Sequence, residues 1–81
     1  MRLDKFLKVA RIFKRRSIAK QISKNGRVLI NGRTAKPGSV VNPGDVLTIS
    51  YGEKILKIKI LKIANHVKKE DADKLYEIIN D

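Results

Sequence analysis

The chain has 81 residues, a formal net charge of +11, one histidine and no cysteine, which suits a single small domain with a modest core. Without cysteine there is no disulfide framework, thiolate nucleophile or cysteine-built zinc site, and with His66 alone any metal site would have to rest on carboxylates. Up to Lys36, twelve Lys and Arg stand against one acid, Asp4, whereas from Pro37 onward seven Lys meet seven Asp and Glu, so the whole excess lies in the N-terminal part.

Leu3, Phe6, Leu7 and Ala10 recur at the spacing of one buried helical stripe, predicting a first helix from about Leu3 to Ala10. Asp4 and Lys8, four apart with the acid first, are expected to pair on its surface, or Asp4 to orient neighbouring arginines. Lys14, Arg15 and Arg16 form a basic turn into Ser17, the expected N-cap of a second helix carrying Ile18, Ala19 and Ile22. Asn25-Gly26 ends that helix, with Gly26 suited to the left-handed C-terminal position.

The remainder reads as strands. Val28 to Ile30 precede Asn31-Gly32, a two-residue hairpin signal in which Gly32 is a turn glycine. Turns follow at Lys36-Pro37-Gly38 and Asn42-Pro43-Gly44-Asp45, and alternation predicts strands over Val46 to Tyr51 and around Leu56, Ile58 and Ile60. Lys57 and Lys59 on the opposite face are expected to discourage edge-to-edge pairing. Ala72, Leu75, Tyr76 and Ile79 at helical spacing, behind Glu70, Asp71 and Asp73, predict a C-terminal helix. The fold class expected is α+β: two N-terminal helices, helix-turn-helix-like, on a small twisted and mainly antiparallel sheet, with a C-terminal helix. The motif core spans about residues 2–50 of a single domain 1–81, with a further strand and the last helix within 54–80.

A one-sided cationic excess predicts a polyanion footprint. Arg2, Lys5, Arg11, Lys14, Arg15, Arg16 and Lys20 are the candidate RNA contacts, together with the free amides at the positive helix end near Ser17. Arginine forks engage phosphate through two hydrogen bonds, which places Arg15 and Arg16 above Lys14. Of the four aromatics, Phe6 and Tyr76 belong to buried stripes, which leaves Phe13 and Tyr51 open as accessible rings; that is little aromatic surface for a stacking platform, and sequence-specific reading of single strands is disfavoured. The N-terminus lacks a signal-peptide layout and no apolar run approaches bilayer length, so a cytoplasmic protein without membrane contact is expected.

Arg2-Leu3-Asp4-Lys5-Phe6-Leu7, Arg16-Ser17-Ile18-Ala19, Asn25-Gly26-Arg27-Val28, Ile30-Asn31-Gly32 and Pro43-Gly44-Asp45-Val46 occur in an order and spacing that resemble the ribosomal S-four RNA-binding domain family. Ile18, where many members carry arginine, with Arg15-Arg16 ahead of Ser17, resembles its ribosome-associated branch of RqcP-like quality-control factors and the small ribosome-rescue heat-shock protein. That resemblance implies a protein that binds large-subunit rRNA and peptidyl-tRNA on a split, stalled ribosome and supports alanine tailing by an RqcH-type partner. No cofactor and no catalysis are expected, and a monomer is the default. The alternative is a small helix-turn-helix nucleic-acid-binding regulator, disfavoured because Gln21 and Asn25 are the only amides in a short second helix.

Overall fold

A computed structural model describes residues 1–79 of the chain. Helix α1 (Leu3–Val9) and helix α2 (Arg16–Lys24) are followed by strands β1 (Val28–Ile30), β2 (Arg33–Thr34), β3 (Val46–Tyr51) and β4 (Lys54–Ile60), a 3-10 helix (Lys69–Leu75) and strand β5 (Tyr76–Ile78). The five strands form one antiparallel sheet in the order β2-β1-β3-β4-β5. The α+β architecture expected from the sequence is the one observed.

The predicted stripe explains how the helices meet the sheet. Leu3, Phe6 and Leu7 are fully buried and join Ala19 of α2 with Val28, Leu47, Ile49, Ile58 and Ile60 of the sheet in one apolar core. Each such side chain removed from water contributes about 1.5–3 kcal/mol before chain entropy is counted, so the α1 stripe anchors the helical pair to the sheet. The start of α1 is tied down by backbone bonds from the Leu3 amide to the Ser39 carbonyl at 2.8 Å and from the Asp4 amide to the Pro37 carbonyl at 3.2 Å. The β2–β3 connection therefore wraps the beginning of α1 and fixes where Arg2 sits.

Asn31-Gly32 makes the expected two-residue turn, with φ of 51° at Asn31 and 84° at Gly32. The Asn31 side chain does more than tolerate that geometry. Its oxygen accepts from the Val46 amide at 2.9 Å and its Nδ2 donates to Asp45 at 3.1 Å, joining the β1–β2 hairpin to the start of β3.

The C-terminal segment departs from the expected regular helix. The third helix is a 3-10 turn that ends at Leu75, and Tyr76 begins a strand. Ala72 and Leu75 are buried as predicted, but a spacing of three satisfies a 3-10 helix as well as an α-helix. Tyr76 and the residues after it instead satisfy β4, in the register Ile60↔Tyr76, Lys59↔Glu77 and Ile58↔Ile78, with the Ile79 amide donating to the Lys57 carbonyl at 2.8 Å. Tertiary pairing thus outweighs the local helical pattern. Strand β4 is consequently not a bare edge at Ile58–Ile60, and Lys59 faces an acid across the ladder rather than guarding an edge. Asn80, the end of the predicted helix, lies outside the described residues.

Candidate nucleic-acid interface

The charged centre of the helical pair is Asp4, whose side chain is only 3% exposed. Arg2 presents its guanidinium fork to it, Nε donating to Oδ1 and Nη2 to Oδ2, both at 3.2 Å. Arg16, from the first turn of α2, donates from Nη2 to Oδ1 at 3.4 Å, and the Lys5 amide donates to the same oxygen at 2.8 Å. The predicted Asp4–Lys8 pair does not form. Burial alone would push the Asp4 carboxyl upward, but hydrogen bonds and charge from Arg16 and then Arg2 outweigh it and hold the group below its ordinary value of 3.8. One buried carboxylate therefore orients two arginines that remain about half exposed, at 53% and 48%. The cluster keeps a net positive charge directed at solvent, with its side-chain entropy already partly spent.

Lys5 extends this face, its ammonium donating to the Asn65 side-chain oxygen at 3.1 Å. His66, next in the chain, is exposed in an irregular connection, as expected of a loop residue.

The turn between the helices holds a second feature that spacing alone did not reveal. Helix α1 ends with the Arg11 amide donating to the Lys8 carbonyl at 3.0 Å and the Ile12 amide to the Leu7 carbonyl at 3.1 Å. This is the Schellman arrangement, and it requires a left-handed residue after the C-cap. That residue is Arg11, at φ 57°. Helix α2 ends the same way, Gly26 donating to the Ser23 carbonyl and Arg27 to the Ile22 carbonyl, each at 3.2 Å, but with glycine at φ 74° in the equivalent place. An L-residue in that conformation costs about 1–2 kcal/mol. Among the described residues Arg11 and Asn31 are the non-glycine residues with positive φ, and Arg11 is the one that ends a helix. Arg11, Lys8, Lys14 and Lys69 border a hollow of about 410 Å³ against Phe13.

Ser17 is not the N-cap. Arg15 holds that position in an extended conformation, its carbonyl accepting from the Ile18 and Ala19 amides at 3.2 Å, and no side chain caps the helix. The register is set by burial of Ala19 and by the Arg16–Asp4 pair, which draws Arg16 into the first turn. Ser17 and Lys20 are exposed on α2. Arg15 and Arg16 are separated by their neighbours: Arg16 joins Asp4, while Arg15 and Lys14 line a groove of about 640 Å³ between the helical turn and the β3–β4 hairpin. Phe13, left open above as an accessible aromatic, is buried and meets Tyr51 edge-on, with ring centroids 5.3 Å apart. Gly26 and Gly32 have the turn roles expected of them.

A cationic face built on a helix-turn-helix-like pair, buttressed by a five-stranded antiparallel sheet, can now be set beside known proteins. The model of the S4 domain family matches residues 1–47, which hold both helices, the basic turn and the Asp4 cluster. The chain belongs to the S4 domain family. Across its whole length it is 46% identical to a protein of Streptococcus pneumoniae, covering 92% of it, and 46% identical to one of Bacillus subtilis, covering 94% of it. Both are named RQC P-site tRNA stabilizing factor. The solved structure of Vibrio cholerae heat shock protein 15, described as trimeric, superposes with a TM-score of 0.90 at 36% identity over 98% of this chain and 81% of that one. Twelve of the chain's nineteen Lys and Arg lie within the residues that the family model spans.

Sequence reasoning missed Lys69 and Lys54, which come to the basic turn from distant parts of the chain. Only their proximity in space marks them. Arg11 was among the candidates for its charge, whereas its left-handed backbone had a faint signal: helix α1 ends with no glycine or asparagine where one is usual. Among the described residues no group of carboxylates and histidine is placed to hold a metal ion, and no helix is long and apolar enough to cross a membrane.

Proposed function

We propose that this protein is a non-catalytic, cytoplasmic RNA clamp of ribosome-associated quality control. It binds a large ribosomal subunit that still carries peptidyl-tRNA, placing the α1–α2 face on rRNA and tRNA phosphates, and so supports alanine tailing by an RqcH-type partner. The observation that carries this reading is the Asp4 cluster, which holds two half-exposed arginine forks together, each keeping N–H groups beyond those bonded to Asp4. Such forks grip phosphate bidentately, and shape, phosphate and 2′-hydroxyl contacts suffice to recognise structured RNA. Arg2, Arg16 and Lys5 form the centre of the contact. Arg11, Lys14, Arg15, Ser17 and Lys20 extend it along the turn and α2. The names of the full-length relatives support the ribosomal setting, and the protein acts as a monomer, its +11 charge opposing self-association without a polyanion.

Co-sedimentation with purified large subunits, with and without peptidyl-tRNA, tests the reading across a salt series. Binding is expected to fall linearly on a log–log salt plot, with a slope shallower by about one when Arg16 becomes glutamine. A protein that stays in the supernatant at low salt, or binds duplex DNA in preference to structured RNA, refutes it.

A further inference from the structure

Resting on the RNA-binding reading above, we infer that the groove between the α1–α2 turn and the β3–β4 hairpin is a pocket for an unstacked RNA nucleobase, with Tyr51 as its stacking platform. Its walls are aliphatic, with Ile18 and Ile55 facing across it, and Ile55 is 74% exposed. An exposed aliphatic wall beside cationic side chains offers a flat apolar ligand burial and an anionic one charge. Tyr51 is 53% exposed, yet its ring is set by the buried Phe13, against which it packs edge-on at an interplanar angle of 62°. An exposed aromatic in a preset orientation loses little freedom when a base stacks on it.

The charges decide what the apolar slot receives. Lys14, Arg15 and Lys54 are among the groove's lining residues, and no acid is. Lys14 and Arg15 also belong to the basic turn, so a phosphate held there places its own or the adjoining base over the groove. The lining has no carboxylate or carboxamide side chain, and the pocket takes purine or pyrimidine chiefly by their shared π-face. The occupant is thus a splayed nucleotide of a loop or bulge, the part of structured RNA that aromatic side chains ordinarily capture. The same contact makes the protein sensitive to local RNA structure, because a fully stacked helix offers no base to the slot.

The test uses the full chain labelled at isoleucine methyls and backbone amides, titrated with pentaadenylate and with an abasic ribose-phosphate pentamer of equal charge. Pentaadenylate is expected to shift the Ile18 and Ile55 methyls, the abasic oligomer to leave them in place, and both to shift the Arg16 and Ser17 amides. Tyr51→Ala is expected to weaken pentaadenylate binding about tenfold, the worth of one base–aromatic stack, with the abasic affinity unchanged, whereas Tyr51→Phe retains wild-type affinity. Equal methyl shifts with both oligomers, or silent methyls while the Arg16 and Ser17 amides respond, overturn the pocket and leave the RNA surface intact. Silence at methyls and amides alike overturns the RNA reading as well. Methyls that ignore pentaadenylate but respond to a glutamate-flanked leucine peptide assign the groove to a protein segment and also refute the proposal.

Discussion

Replacing Arg11 with glycine separates the stability of the helical turn from its binding role, because the two are expected to move in opposite directions. Arg11 occupies the left-handed position of the Schellman turn at φ 57°, and its side chain is exposed. Relief of that backbone strain contributes about 1–2 kcal/mol to the folded state, while the greater freedom of glycine in the unfolded chain takes back about 0.4–1 kcal/mol. The net is a stabilisation of up to about 1.6 kcal/mol, centred near about 0.8 kcal/mol, which at the centre raises Tm by roughly 3–6 °C for a domain of this size. RNA affinity is expected to fall several-fold at moderate salt and the salt dependence to lose about one phosphate contact. Thermal unfolding followed by circular dichroism, run beside fluorescence anisotropy on a labelled structured RNA, reads both quantities. Gly26→Arg is the control at the equivalent turn of α2. There a Cβ meets only Thr34 Cγ2 at an ordinary 3.7 Å, so the expected loss of about 1 kcal/mol comes from backbone strain rather than collision. A lower Tm for Arg11→Gly, or RNA binding identical to wild type, refutes the argument that strain is tolerated there for the sake of a cation.

Arg16→Lys keeps the charge but loses the planar fork, so RNA binding weakens several-fold with the salt slope unchanged; equal affinity in anisotropy measurements contradicts fork recognition. Because the Asp4 carboxyl is held below its ordinary value of 3.8, the stability it contributes is fully present above that value and is lost as pH falls through the lowered folded value. Acid unfolding of Asp4→Asn is therefore expected to show a shallower loss of stability below pH 3.8 than wild type, and parallel acid curves for the two proteins contradict this. Asn31→Ala removes two side-chain hydrogen bonds and strains a left-handed turn position, costing about 1–3 kcal/mol in denaturant unfolding. Its RNA affinity at a temperature where it stays folded is expected to equal wild type, since the turn lies outside the cationic face.

The fold was legible where one local rule dominated. The α1 stripe, the Asn31-Gly32 hairpin and the end of α2 at Gly26 all follow from short-range spacing or backbone preference, and tertiary structure agrees with each. The last segment was misread because Ala72 and Leu75 fit two helical periods, and nothing local announces that β4 has an open edge for Tyr76 to fill. At the site, charge placement singled out the N-terminal third of the chain but not how its members are grouped. Asp4 has Lys8 at helical spacing, yet it pairs with Arg2 and Arg16, because the buried face of α1 points it at the start of α2. Ser17 has the chemistry of an N-cap, but the helix begins two residues earlier, around the Arg15 carbonyl. The left-handed backbone of Arg11 and the Phe13–Tyr51 contact depend on three-dimensional closure, which spacing does not encode.

The most direct check is an image of the ribosomal particle purified with the tagged protein from cells in which translation has been stalled. Density for the α1–α2 face against RNA, with the Arg2 and Arg16 guanidiniums at phosphates and the sheet turned away, is the expected result. A protein docked through its sheet, or a particle in which those two arginines face solvent, contradicts the account.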